Sequence, residues 1–267
     1  MNRQQIMEKY KLDQLENILS EIENVITNTL NQQNVKASND KRNFLLYTLG
    51  KSILTMRETI ILCWSGYPDG ALSLSRNLFE QFIHVTYIGN CKDIDSVLNK
   101  YNDDYAVQRT KALKFHAEYI LKSTQKVQQY KTQLQTVKEK YNVKKMNDYW
   151  WAGVNNFSDM CEKVAKQSGE LEFWIREMQL IYKRACLSLH SSCMGNKVRL
   201  GSNLADIDMG PWNNGQEVPL FLASSSLMFI TCAVYDEMNI DHKEITDKWW
   251  EYVKYYFEIV GKSSSNT

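Results

Sequence analysis

The sequence predicts an all-α protein: an antiparallel bundle of about eight helices with a protruding helical arm and one long functional loop. The 267 residues include only 3 prolines and 11 glycines, whereas average composition is about 5% proline and about 7% glycine. Apolar side chains also recur at three- and four-residue steps through most of the chain, which is the period of an amphipathic helix. All-β and collagen-like folds need more turns or more glycine, so the composition excludes them.

The N-terminal region, residues 1–40, is predicted to hold one long amphipathic helix over residues 4–31. Two further helices follow over residues 41–65 and 71–88, separated by a Gly- and Pro-containing turn. Because this turn is short, the two helices are expected to be antiparallel neighbours. We expect the chain from residue 41 to residue 262 to form a single helical domain.

Residues 100–145 are predicted to form a basic arm, an exposed helical hairpin with eleven basic and four acidic residues. A charged face of this kind is either a solvated helix surface or a surface that follows a phosphate backbone. For the second interpretation, six aromatic side chains are available to stack on bases: Tyr101, Tyr105, Phe115, Tyr119, Tyr130 and Tyr141.

The last part of the chain contains the predicted long loop, residues 194–217. Before it we expect an aromatic turn at Trp150-Trp151, a short helix over residues 158–167 that ends at Gly169, and a helix over residues 171–191. After it we expect helices over residues 218–238 and 243–260 and a disordered tail, residues 263–267. Loops of this length in a compact domain are usually functional or disordered.

The apolar stretch from Leu220 to Tyr235 raises the question of a membrane span. It is 16 residues long and contains three consecutive serines, whereas a spanning helix needs about 20 apolar residues. We therefore predict a buried core helix and no membrane partner.

Charge and cysteine usage exclude several functional classes. The net charge is +1, so no overall electrostatic attraction to nucleic acid or membrane is expected. The six cysteines contain no C-x-x-C pair and the four histidines do not flank them at ligand spacing, so we expect no metal site and no cofactor. Free thiols and a polar opening segment favour a cytoplasmic protein. No phosphate-binding glycine loop and no G-x-S-x-G nucleophile elbow is present.

Arg76, Glu80 and His84 recur at four-residue steps on one predicted helix. One interpretation is a ladder of surface pairs that contributes about 0.3–0.5 kcal/mol per pair. The other is a charged cluster at the edge of a cleft, in which the guanidinium binds an anion and the carboxylate orients a base. Arg precedes Glu, the less stabilising order for a helix, which favours the second interpretation.

His190 is predicted to lie in the last turn of its helix, directly before the long loop. A histidine there is favoured by the helix dipole, and it is also well placed for acid–base chemistry near neutral pH. Arg184 precedes it at R-x(5)-H spacing. On an ideal helix the two lie 120° apart, so they need a distorted helix end or a second subunit to converge.

This last spacing resembles the R-x(4–6)-H motif of HEPN-type ribonucleases, in which an Arg and a His assist attack of the RNA 2′-hydroxyl without metal. Taken in order, Ser73-x-x-Arg76-x-x-x-Glu80, Trp151-Ala152-Gly153 and Ser188-x-His190 resemble an uncharacterised bacterial family known as a domain of unknown function. The similarity covers roughly residues 45–235. It implies an all-helical cytoplasmic protein in which Arg76, Glu80 and His190 belong to one site.

The first functional hypothesis is therefore a HEPN-like, metal-independent endoribonuclease of a bacterial defence or toxin system, acting as a homodimer on RNA. Its predicted residues are four catalytic ones, His190, Arg76, Glu80 and Arg184, and three substrate-binding ones, Lys183, Tyr182 and His84. The alternative is a non-catalytic helical sensor or adaptor that binds a small ligand or a protein partner, such as an antitoxin or a defence component.

Overall fold

The computed structural model describes residues 3–33, 40–189 and 215–264. Within these residues the chain forms ten α-helices and no strand, which confirms the predicted all-α fold. The helices are α1 (Arg3–Lys9), α2 (Leu12–Gln33), α3 (Asp40–Trp64), α4 (Pro68–Gly89), α5 (Ile94–Tyr119), α6 (Thr124–Tyr141), α7 (Phe157–Gln167), α8 (Glu172–Leu189), α9 (Glu217–Met238) and α10 (Lys243–Ser264).

The predicted first helix is interrupted, so the N-terminal region holds α1 and α2 instead of one helix. Lys11 adopts a left-handed backbone with φ 46°, which an α-helix cannot continue through. The break is held by Tyr255, whose hydroxyl donates to the Lys9 carbonyl at 2.9 Å. Tyr10 is buried at the same point and donates to the Glu217 carboxylate at 3.1 Å. Periodicity alone does not reveal this interruption because the apolar residues continue on both sides of it.

The chain divides into two compact units, residues 1–86 with 173–267, and residues 87–172. The predicted limits of an N-terminal helix and of a single domain over residues 41–262 stay predictions, since compactness does not show which parts fold independently. Most of the predicted long loop, as well as residues 265–267 of the predicted tail, lies outside the described residues.

In the first unit, α9 is the central helix and packs against α3 and α10. It is buried nearly all round, from Pro219 to Met238, which confirms the predicted core helix. Among the described helices, α9 alone is long and apolar enough to cross a membrane, and 78% of its most apolar window is buried inside the protein.

In the second unit, α5 and α6 form the predicted helical hairpin, and local caps define their ends. The Asp93 carboxylate accepts from the Ser96 N–H at 3.1 Å, and Ser123 Oγ accepts from the Lys126 N–H at 3.4 Å. A 3₁₀ turn at Trp150–Ala152 packs against α5, where Trp150 Nε1 donates to the Asp104 carboxylate at 2.6 Å. The helix before Gly169 ends as predicted, because this glycine has φ 52°.

Candidate functional site

Arg76 and Glu80 lie one turn apart on α4, at the border between its buried and its exposed face. Their side chains are 26% and 27% exposed, and Arg76 Nη2 lies 3.5 Å from Glu80 Oε1. The residues beside them, Leu78 and Phe79, are fully buried in the first unit. The pair therefore lies next to the buried core, and both side chains remain partly exposed to solvent.

Tyr182 on α8 joins this pair. Its hydroxyl donates to Glu80 Oε1 at 2.8 Å, and its ring lies beneath the guanidinium, with Arg76 Cζ 5.3 Å from the ring centroid. The ring of Phe79 packs against it at 5.5 Å between centroids. Arg76 and Glu80, predicted as a pair, and Tyr182, predicted separately as a substrate-binding residue, thus form one cluster between two helices; we call it the Arg76 cluster.

The charges of the Arg76 cluster follow from burial and from its partners. Burial lowers the pKa of Arg76, but its electrostatic interactions with Cys186, Tyr182 and Glu80 raise it more, so the net pKa is raised. Burial and the Glu80 carboxylate both raise the pKa of Tyr182. At neutral pH the cluster therefore contains a guanidinium cation and a protonated tyrosine that acts as a hydrogen-bond donor.

The guanidinium has capacity left for an anion. Arginine carries five N–H donors in a planar fork, and within the described part of the chain the hydrogen bond of Arg76 is the one from Nη2 to Glu80. Since Glu80 and the ring of Tyr182 fix the position of the fork, its other donors can bind a phosphate or carboxylate oxygen without further ordering.

His84, one turn beyond Glu80, has a different environment. Its Nε2 atom is buried, and burial together with the positive charge of Lys51 lowers its pKa to about 4. The ring is neutral at physiological pH, so it cannot supply a positive charge for substrate binding. The charge that contributes to this lowering is that of Lys51 on α3.

The other predicted site residues lie away from the Arg76 cluster or outside the described chain. Lys183 and Arg184 are exposed, and on an ideal helix Arg184 points about 200° away from Tyr182. His190 lies outside the described residues, as does the loop that follows it. A shared site of Arg76, Glu80 and His190 therefore stays a prediction.

Cys186 is the member of this region that the sequence analysis did not assign to the site. It is half-buried, it lies one turn after Tyr182, and it is one of the groups that interact electrostatically with Arg76. The four-residue step from Tyr182 to Cys186 is the sequence signal that could have placed both side chains on the same face of α8.

The second unit contains a basic cleft between α5 and α6, with a volume of about 400 Å³. Its lining consists of four lysines, two apolar side chains and one amide: Lys111, Lys114, Lys131, Lys138, Leu134, Met146 and Gln135. Of the lysines, Lys111 has a described acidic partner, the exposed Asp148 at 3.5 Å. The lining of the cleft thus combines several positive charges with two apolar side chains, which suits an anionic ligand with an apolar portion.

An exposed aromatic pair lies further along α5. Phe115 and Tyr119 are both exposed, and their ring centroids are 4.6 Å apart. Phe115 directly follows the cleft residue Lys114 in the sequence. By contrast, Tyr101 and Tyr141 pack against Trp151 and Trp150, so these two of the six predicted stacking residues help to build the second unit.

No group of three or more His, Cys, Asp or Glu side chains in residues 3–33, 40–189 and 215–264 is arranged to hold a metal ion. The acidic residues of the Arg76 cluster and of the cleft are single carboxylates that are paired with cations or hydrogen-bond donors.

Comparison with known proteins identifies one family. A family of unknown function, DUF5677, matches residues 42–206, more than half of the chain. The match covers the Arg76 cluster and the position of His190. No curated protein and no solved structure matches the chain.

Proposed function

The chain belongs to the family of unknown function DUF5677, and from its own site we propose that it is a metal-independent endoribonuclease of a bacterial defence or toxin system. The predicted resemblance to an uncharacterised family is confirmed by this match, whereas the relationship to HEPN-type ribonucleases remains a hypothesis.

The observation that carries the proposal is the half-buried guanidinium of Arg76, which contacts Glu80 and the ring of Tyr182 and has further N–H donors without a hydrogen bond among the described residues. Contacts of α4 with α8 also show which end of α8 the Arg76 cluster lies near. Glu80 and Arg76 both contact Tyr182, and Cys186, which interacts electrostatically with Arg76, lies one turn closer to the C-terminal end of α8. The described helix ends three residues after Cys186, about 4.5 Å of helical rise, and His190 is next in the sequence.

In the proposed reaction the RNA 2′-hydroxyl attacks the adjacent phosphorus. His190 removes the hydroxyl proton and later protonates the departing 5′-oxygen, so that a 2′,3′-cyclic phosphate and a 5′-hydroxyl are formed. Arg76 binds the non-bridging oxygens, where negative charge increases in the transition state. Glu80 orients Arg76. Arg184 faces away from Tyr182 on α8, so in this mechanism it adds a second positive charge from a second subunit. The nucleophile belongs to the substrate, so the reaction needs no metal-bound water.

The basic cleft supports RNA as the substrate. Lys114, Lys131 and Lys138 have no ion-pair partner among the described residues, and such unpaired lysines attract phosphates. The exposed rings of Phe115 and Tyr119 provide a surface on which bases can stack. Sequence-independent binding of single-stranded RNA combines these two features.

The test is cleavage of a mixed-sequence RNA by the purified full chain in the presence of a chelator. We expect cyclic-phosphate products, no cleavage by His190→Ala, and a rate reduced roughly 100-fold or more by Arg76→Gln. Arg57→Gln is the matched control, because Arg57 is also a half-buried helical arginine held by a glutamate, Glu23 at 2.7 Å. It should keep the wild-type rate.

No cleavage by the wild type, or equal cleavage by wild type and His190→Ala, would contradict the proposal. The second candidate function, a non-catalytic sensor or adaptor, is favoured by the exposed apolar residues at the α5–α6 turn, among them Ile120 and Leu121. If the protein has this second function, the Arg76 cluster only stabilises the contact between α4 and α8. An Arg76→Gln variant that loses stability as Arg57→Gln does, with no effect on RNA, would support it.

A further inference from the structure

Helix α3 carries an apolar stripe that remains exposed within the described residues, 3–33, 40–189 and 215–264. Tyr47, Leu54 and Ile61 are 80%, 58% and 55% exposed, and they follow one another at seven-residue steps. The opposite face of α3 is buried through Leu49, Ile53, Met56 and further residues. A surface helix normally carries polar side chains on its outer face. A second apolar stripe on that face therefore indicates a surface that another protein chain covers.

Two charged residues complete the stripe. Lys51 and Glu58 are exposed and lie between the apolar positions, so that residues 47, 51, 54, 58 and 61 fall within an arc of about 80° on an ideal helix. Within residues 3–33, 40–189 and 215–264, neither side chain has an ion-pair partner. Alternating three- and four-residue steps are the spacing with which two helices pack along a seam.

Gly50 lies on the edge of the same stripe. A Cβ atom placed on it would meet nothing within 4 Å, and glycine inside a helix costs about 1 kcal/mol relative to alanine. Nothing in the described part of the chain therefore requires a glycine at this position. A second helix that packs closely against α3 would explain the glycine at position 50, because the absence of a side chain lets two backbones approach each other.

We propose that α3 is the interface of a homodimer, in which it packs antiparallel against α3 of a second copy about a two-fold axis at Leu54. In this register Tyr47 faces Ile61 of the second copy, and Leu54 faces Leu54. Lys51 lies within one residue's rise of the second copy's Glu58, and both lie on the same side of the seam. A parallel pairing would place like charges beside each other, so the charge pattern selects the antiparallel one.

The proposal does not rest on the ribonuclease function, and light scattering during gel filtration of the full chain tests it. The wild type should run as a dimer. Leu54→Glu places two carboxylates at the axis and should raise the dissociation constant on the order of 100-fold. Leu180→Glu is the matched control, because Leu180 on α8 is 56% exposed and lies outside the stripe. It should leave the dimer intact.

Charge exchange makes the test specific for the register. Lys51→Glu should weaken the dimer, because it places two glutamates together in each of two symmetric contacts, and the double variant Lys51→Glu/Glu58→Lys should restore it. Leu54→Cys should form a disulfide between copies under mild oxidation. A monomeric wild type, a dimer that Leu180→Glu disrupts while Leu54→Glu does not, or a double exchange that fails to restore association would each overturn the proposal.

Discussion

The stability of the protein should decrease in mild acid because of His84. In the folded chain the pKa of His84 is lowered to about 4 by burial and by Lys51, whereas an unfolded histidine has a pKa of about 6.5. As the pH falls below 6.5, the unfolded chain binds a proton that the folded chain does not bind. The free energy of unfolding therefore decreases between pH 6.5 and pH 4 and levels off below pH 4.

The size of this effect follows from the two pKa values. Between pH 7 and pH 5 the unfolded histidine becomes almost fully protonated, while the folded one remains about nine-tenths neutral, given its pKa of about 4. Proton linkage then gives a loss of about 2 kcal/mol over this interval. Acidic side chains also begin to titrate near pH 5, so the contribution of His84 is the difference between wild type and a variant.

Urea unfolding at pH 7 and pH 5 measures this difference. His84→Gln should lose about 2 kcal/mol less than the wild type between the two pH values, since glutamine does not titrate. His116→Gln serves as the control, because His116 is exposed in the second unit, and it should keep the wild-type loss. If His84→Gln and the wild type lose the same stability, the reasoning that burial keeps His84 neutral is wrong.

Three further substitutions test individual contacts by urea unfolding at pH 7. Tyr182→Phe removes the 2.8 Å hydrogen bond to the Glu80 carboxylate and should destabilise the protein by about 1–2 kcal/mol; an unchanged midpoint would show that this bond contributes nothing to stability. Trp150→Phe leaves Asp104 without its 2.6 Å donor and should cost about 1–3 kcal/mol; an unchanged unfolding midpoint by circular dichroism would contradict this. Ser225→Ala should stabilise the chain by up to about 1 kcal/mol, because the buried Ser225 Oγ has no hydrogen-bond partner among the described residues; destabilisation would reveal a partner for it.

Much of the fold could be predicted from the sequence, because periodicity and caps are local properties. The turn at Gly66 and the cap at Gly169 both have positive φ in the structure, as residues without a Cβ readily do. Burial of the segment from Leu220 to Tyr235 also follows from its length and composition. The break at Lys11 could not be predicted, since it depends on the contact of Tyr255 with the Lys9 carbonyl, 246 residues away in the sequence.

For the candidate site too, some features follow from the sequence and others only from the tertiary structure. The sequence by itself determined which residues of α4 share a face, since Arg76 and Glu80 are one helical turn apart. Only the tertiary structure decided that Tyr182 joins them, that Lys51 acts on His84, and that the stripe on α3 is left exposed by the described helices. A helix determines the direction in which each side chain points relative to its own neighbours. Its pKa, its partners and its exposure depend on which other helix packs against it, and that is decided by the burial of the whole chain.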